Sequence, residues 1–126
     1  MSDTNELGKA KPGPAPGEWE VFDIPELVSA IGDSTVKYRE FLRSPAMSCG
    51  IYRLPAGSRD MQGTHDDDEV YYVLSGRARM RVGDEDRPVG PGDLLYVRAT
   101  AEHNFFEIEE DMTLLVFFAN ATRTRR

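Results

Sequence analysis

Residues 62–76 read QGTHDDDEVYYVLSG. The second half is a strand: Val70, Tyr71, Tyr72 and Val73 are β-branched or aromatic, and Ser75-Gly76 closes the run. The first half sets His65, three aspartates and Glu69 directly against it. In an extended chain, residues of equal parity share a face. His65, Glu69, Tyr71 and Val73 therefore fall on one side, and Glu69 points toward the interior at the start of the strand. A carboxylate in that place is costly to bury without a cation. Asp67 shares the parity but reads as a bulge in the loop. Asp66 to Asp68 read as a solvated turn with a secondary role in drawing cations inward.

Outward from this stretch the period stays at two. Residues 77–82, RARMRV, put Arg77, Arg79 and Arg81 on a wet face and Ala78, Met80 and Val82 on a core face. Residues 36–42 and 46–54 read as strands, as do 94–98, 103–108 and 112–119, with a short edge strand within 87–93. Residues 83–86 (GDED) read as a turn and 109–111 (EED) as a hairpin turn. Upstream, 19–24 (WEVFDI) reads as a short strand. One or two helical turns fit between Pro25 and Gly32. About eight short strands with turn signals between them define an all-β, small antiparallel sandwich or barrel with a short N-terminal helical turn. Pro12, Pro14 and Pro16 make 1–17 an extended or disordered arm; 18–120 form the barrel, and 121–126 a basic tail.

The chain has 126 residues, enough for one domain with one core. Its net charge of −7 repels phosphate backbones and argues against a nucleic-acid partner. No apolar run approaches the roughly 20 residues that cross a bilayer. The N-terminus lacks the apolar core of a signal peptide, so a cytoplasmic protein with no membrane partner is expected. The single cysteine, Cys49, rules out an intramolecular disulfide and reads as a small buried hydrophobe.

The chain carries two histidines, His65 and His103, each at a strand mouth. Two imidazoles and the Glu69 carboxylate on one ion form the facial pattern of non-haem iron sites. Gln62, three residues before His65, offers an amide oxygen. This nitrogen and oxygen set suits divalent Fe, Mn or Ni, with Zn possible.

These residues resemble the motifs of the cupin superfamily, in its small single-domain form. In the first motif Gly57 is followed by five residues, Gly63-Thr64-His65, three residues, Glu69, six residues and Gly76. Gly63 stands where the motif has its first histidine. In the second, Gly92 leads through five residues to Arg98-Ala99-Thr100, then to His103 and, four residues on, Glu107. Arg98 and Thr100 stand where the motif has proline and glycine, and Glu107 where it has asparagine. The resemblance implies a jelly-roll barrel, or double-stranded β-helix, with a divalent transition metal on His65, Glu69 and His103. Gln62 is the substitute for the missing histidine.

The resemblance also implies a small-molecule ligand in the barrel. Tyr71, Met80, Phe105 and Phe117 would line or fill it. Tyr71 and Tyr96 would offer phenolic protons, and Arg98 would clamp a carboxylate. Three functions stay open: dioxygenase-like or isomerase/lyase-like chemistry on a small oxygenated metabolite, binding without turnover, and a degenerate metal-free barrel. A homodimer is expected, with 19–24 and 112–119 as the pairing edges.

Overall fold

The computed structural model describes residues 16–31, 37–60 and 66–119. It holds one helix, α1 (Ile24–Ile31), and eight strands among those residues. These are β1 (Lys37–Arg43), β2 (Met47–Leu54), β3 (Glu69–Ser75), β4 (Ala78–Val82), β5 (Glu85–Val89), β6 (Leu94–Val97), β7 (His103–Phe106) and β8 (Met112–Ala119). All pairing is antiparallel. A five-stranded sheet runs β1-β2-β8-β3-β6, and a three-stranded sheet runs β5-β4-β7.

Period-two patterning produces the core. Tyr71 and Val73 from β3, Leu114 and Val116 from β8, and Tyr52 and Leu54 from β2 are buried. Met80 and Phe105 of the smaller sheet join them in one cluster. On β4 the expected division holds, with Ala78 and Met80 buried and Arg81 exposed. The expected all-β jelly-roll barrel is the observed architecture.

Four local expectations change. Residues 19–23 form no strand: Trp19 and Val21 are 79% and 80% exposed. Only Phe22 is held, against Phe41 at 4.9 Å between ring centroids. Asp23 caps the helix instead, its Oδ1 accepting from the Glu26 amide at 3.1 Å, so Ile24 turns helical. Residues 109–111 are not a hairpin turn, because β7 pairs with β4 while β8 lies between β2 and β3. They cross between sheets, tied by the Glu109 amide donating to the Arg77 carbonyl at 2.9 Å. The run 112–119 is the central strand of the larger sheet and not an edge. An apolar octamer in mid-sheet reads the same as an exposed apolar edge until its neighbours are known. The turn within 83–86 is shorter than expected, since β5 already starts at Glu85.

The arm at 1–15 and the tail from 120 onward lie outside the described residues. So does the segment 61–65, which contains Gln62 and His65.

Candidate functional site

β3 carries Glu69, Tyr71 and Val73 on its interior face, all at 1% exposure or less. Opposite, β7 opens with His103, 4% exposed. Because β3 and β7 belong to different sheets, the two strands bring these side chains together across the interior. The Tyr71 hydroxyl donates to Glu69 Oε1 at 2.5 Å and lies 3.1 Å from His103 Nε2. His103 Nε2 is 3.4 Å from Glu69 Oε1.

The far side of the imidazole fixes its tautomer. His103 Nδ1 stands 2.8 Å from the Ala101 carbonyl, which can only accept, so Nδ1 carries the proton. In the neutral ring the Nε2 lone pair then faces Glu69 and Tyr71. A backbone partner on the outer ring nitrogen is the usual means of orienting a ligating histidine. Burial alone would lower the His103 pKa. The Glu69 hydrogen bond, the Ala101 carbonyl and the charges of Glu69 and Asp60 outweigh it, and the imidazole sits above its ordinary value.

These two donors fit a divalent ion. Atoms each about 2.1 Å from one cation stand roughly 3.0–3.4 Å apart, and the Nε2 to Oε1 separation lies in that range. Among the described residues no group of three or more His, Cys, Asp or Glu side chains converges as a metal site. Gln62 and His65, the other two expected ligands, fall outside those residues.

The expected pocket residues divide. Tyr71, Met80 and Phe105 are buried inside, with Tyr71 and Phe105 edge to face at 5.3 Å. Met80 and Tyr96 both line a cavity of about 290 Å³ at the seam between β5 and β6, together with Val82, Leu95 and Val97. Val82 pairs with His103 and Val97 with Glu69, so this cavity adjoins the polar group. Tyr96 is 62% exposed and meets the cavity only from outside. Phe117 is half-buried on the opposite face of β8 from Val116, and Arg98 is exposed beyond the end of β6. Strand parity turns Phe117 away from the interior, while Arg98, expected as a clamp near the mouth, stands at the surface.

The acidic turn is less solvated than its composition suggests. Asp66 is exposed, but Asp67 is 8% exposed, and Asp68 Oδ1 accepts from the Ala99 amide at 2.7 Å. Asp68 thereby ties the start of β3 to the loop that leads into His103.

Two features escape a period-two reading. Asp60 is buried, accepting from the Tyr52 hydroxyl at 2.6 Å and from the Phe105 amide at 2.8 Å. It braces β7 next to His103 and directly precedes the segment with Gln62 and His65; a lone loop aspartate carries no local signal of this. On β1, Glu40 and Arg43 form a pair at the barrel's inner face, with Glu40 only 4% exposed. An acidic residue at an alternating strand position was the available sign.

Comparison with known proteins identifies the family of the fold. The family model described as "Cupin domain" matches residues 50–118. An uncharacterized protein of Streptomyces coelicolor is 42% identical over 100 residues, covering 79% of this chain and 95% of that one. The chain belongs to the cupin family. Among solved structures, TT1209 of Thermus thermophilus superposes with a TM-score of 0.67 at 28% identity, over 80% of this chain and 97% of that one. DMSP lyase DddQ of Ruegeria pomeroyi gives 0.63 at 21% identity, over 68% of this chain and 47% of that one, so the chain spans about half its length. KdgF of Halomonas sp. gives 0.62 at 19% identity, over 68% and 78%. At these last two identities the likeness is one of fold.

Proposed function

We propose that this protein is a metal-binding single-domain cupin that acts on a small oxygenated organic molecule held in the barrel. The observation that carries the reading is the buried group of Glu69, Tyr71 and His103, with His103 Nε2 3.4 Å from the Glu69 carboxylate. His103 and Glu69 would hold a divalent Fe, Mn, Ni or Zn ion, with Gln62 and His65 from the adjoining segment. A bound ion supplies Lewis acidity or a site for O₂. The Tyr71 hydroxyl touches both donors and is placed to hold or pass a proton at its oxygen. The interior around it is apolar, lined by Val97, Phe105 and Val116, so water is excluded from the reacting end.

Lyase or isomerase chemistry is favoured over oxygenation by one observation. A tyrosine hydroxyl that donates to a buried carboxylate suits proton transfer at carbon, which needs no oxidant. The test is reconstitution with each metal in turn. Substrate panels would then be followed by proton NMR in deuterated buffer, alongside an oxygen electrode. Solvent deuterium appearing in product, lost in Tyr71→Phe with metal retained, supports the reading. Oxygen uptake with no exchange would replace it with a dioxygenase. Failure of every metal to bind would leave a metal-free binder.

The proposal includes a homodimer in the cytoplasm. The outer face of the larger sheet leaves Leu94 and Tyr96 of β6 and Tyr72 of β3 exposed, at 66%, 62% and 36%. Tyr72 and Leu94 are register partners, so these residues make one apolar patch. Light scattering at micromolar concentration is expected to give twice the chain mass; a monomer would remove this part. No described helix is long and apolar enough to cross a membrane.

A further inference from the structure

The inner face of the larger sheet has a second polar group, three strands away from the first. The register aligns it. Arg43, Ser48, Phe118 and Glu69 share one row across β1, β2, β8 and β3. Glu40, Gly50, Val116 and Tyr71 share the next. Since Tyr71 contacts β7 across the interior, both rows face inward.

Arg43 reaches that face because of a β-bulge. The β1–β2 register slips between Glu40 and Leu42. Strict alternation from Tyr38 and Glu40 would send Leu42 inward and Arg43 out. With the slip, Leu42 pairs with Cys49 on the outer side and Arg43 with Ser48 on the inner side. Bulges of this kind re-aim side chains beside functional sites. Glu40 then grips Arg43 through Nε and Nη2, both at 2.7 Å. That uses two of the five guanidinium N–H groups and leaves the Nη1 side to act elsewhere.

Tyr38 lies on the same inner face and is 4% exposed. Its ring packs edge-on against Tyr52 and Phe118. Its hydroxyl lies over Gly50, where a Cβ would collide with both Cζ and Oη. The hydroxyl is buried and has no hydrogen-bond partner among the described residues. A phenylalanine would make the same ring contacts without the cost of an unpaired buried hydroxyl. Burial first, then the Glu40 charge, pushes the phenol above its ordinary pKa, so it stays a donor.

We propose that Tyr38 and Arg43 anchor the far end of the ligand, and that the group they take is a carboxylate. This rests on the reading of the barrel interior as the ligand site. Both residues offer N–H or O–H donors, and an ionised carboxylate is acceptor-only. About 14 Å of sheet separates the β1 and β3 backbones, three strand spacings. Side chains enter that gap from both sides, so the ligand proposed to span it is a small hydroxy or keto acid. The acid's oxygenated end then faces Glu69, Tyr71 and His103, and the Phe118 ring lies along its middle.

The test uses the full chain and Tyr38→Phe, which keeps the ring. Lactate, pyruvate and malate serve as probes, with hydroxyacetone as the carboxylate-free control, in ligand-observed NMR titrations of the metal-reconstituted protein. Tyr38→Phe is expected to melt at or above the wild-type temperature and keep its metal, while the best-bound acid loses about tenfold or more in affinity. Arg43→Gln weakens the same acid, and hydroxyacetone is indifferent to both changes. Three results overturn the proposal: a Tyr38→Phe melting point several degrees lower, equal acid affinity in both proteins, or no acid binding better than hydroxyacetone. Metal content, read separately on the same samples, reports on the metal reading alone.

Discussion

The two motif segments depart from the cupin pattern in opposite ways. The first keeps its closing backbone residue and lacks a ligand. Gly76 has φ of +95°, and a Cβ there would collide with the Asp111 carbonyl and the Met112 Cα. What is missing is a side chain at Gly63. The second segment keeps its ligand, His103, and has lost the residues that suit its backbone. Thr100 and Glu107 stand where the motif has glycine and asparagine, and both retain positive φ, at +69° and +48°. A residue other than glycine at positive φ carries strain that the surrounding structure holds in place. The Ala101 amide donates to the Arg98 carbonyl at 3.1 Å across one turn. Neighbours cannot supply a donor atom at Gly63, and Gln62 is the proposed replacement ligand.

The sharpest way to break this comparison is at Gly76. Gly76→Ala combines a left-handed backbone with a collision against main-chain atoms that cannot swing aside. A loss of about 3 kcal/mol or more is expected, read by chemical denaturation. A loss below about 1 kcal/mol would show that the glycine is incidental. Next in size is Asp60→Ala, which strips partners from the buried Tyr52 hydroxyl and Phe105 amide. It is expected to cost about 2–3 kcal/mol and to loosen β7, seen as faster amide exchange at Phe105.

Smaller effects of opposite sign are expected in the second segment. Thr100→Gly and Glu107→Gly remove strain at positive φ and should each raise stability by roughly 0.5–1 kcal/mol. Destabilisation in both would mean that their side chains hold the turns. The smallest expected effect is at Cys49. Burial pushes its thiol up to about 12, so it stays protonated and shielded at pH 8. The native protein should resist iodoacetamide, and rapid labelling would place Cys49 at the surface.

Much of the barrel was legible. Strands β3 and β4 follow from alternation at 69–82, and Glu69 could be placed inside from parity alone. What failed did so for lack of partners. Residues 19–24 have strand composition but no neighbouring edge among the described residues, while Asp23 has a helix to cap. Residues 112–119 look like an edge until β2 and β3 flank them. Of the residues expected at the pocket by type, Phe117 takes the outer face, Arg98 stands at the surface beyond β6, and Tyr96 meets the cavity from outside. Arg43 was invisible because a bulge reverses its side, and a bulge leaves no mark in the pattern of residues. The cupin motifs were legible on both sides of this, since their spacing survives single substitutions.

Glu69 and His103 are proposed as half of a metal centre. Elemental analysis of untagged protein after metal reconstitution tests it most directly, with wild type beside His103→Ala, Gln62→Ala and Tyr38→Phe. About one transition-metal ion per chain is expected in the wild type and in Tyr38→Phe, with loss in His103→Ala and partial loss in Gln62→Ala. Wild type free of Fe, Mn, Ni and Zn, or a His103→Ala protein that keeps its full metal, would contradict the account.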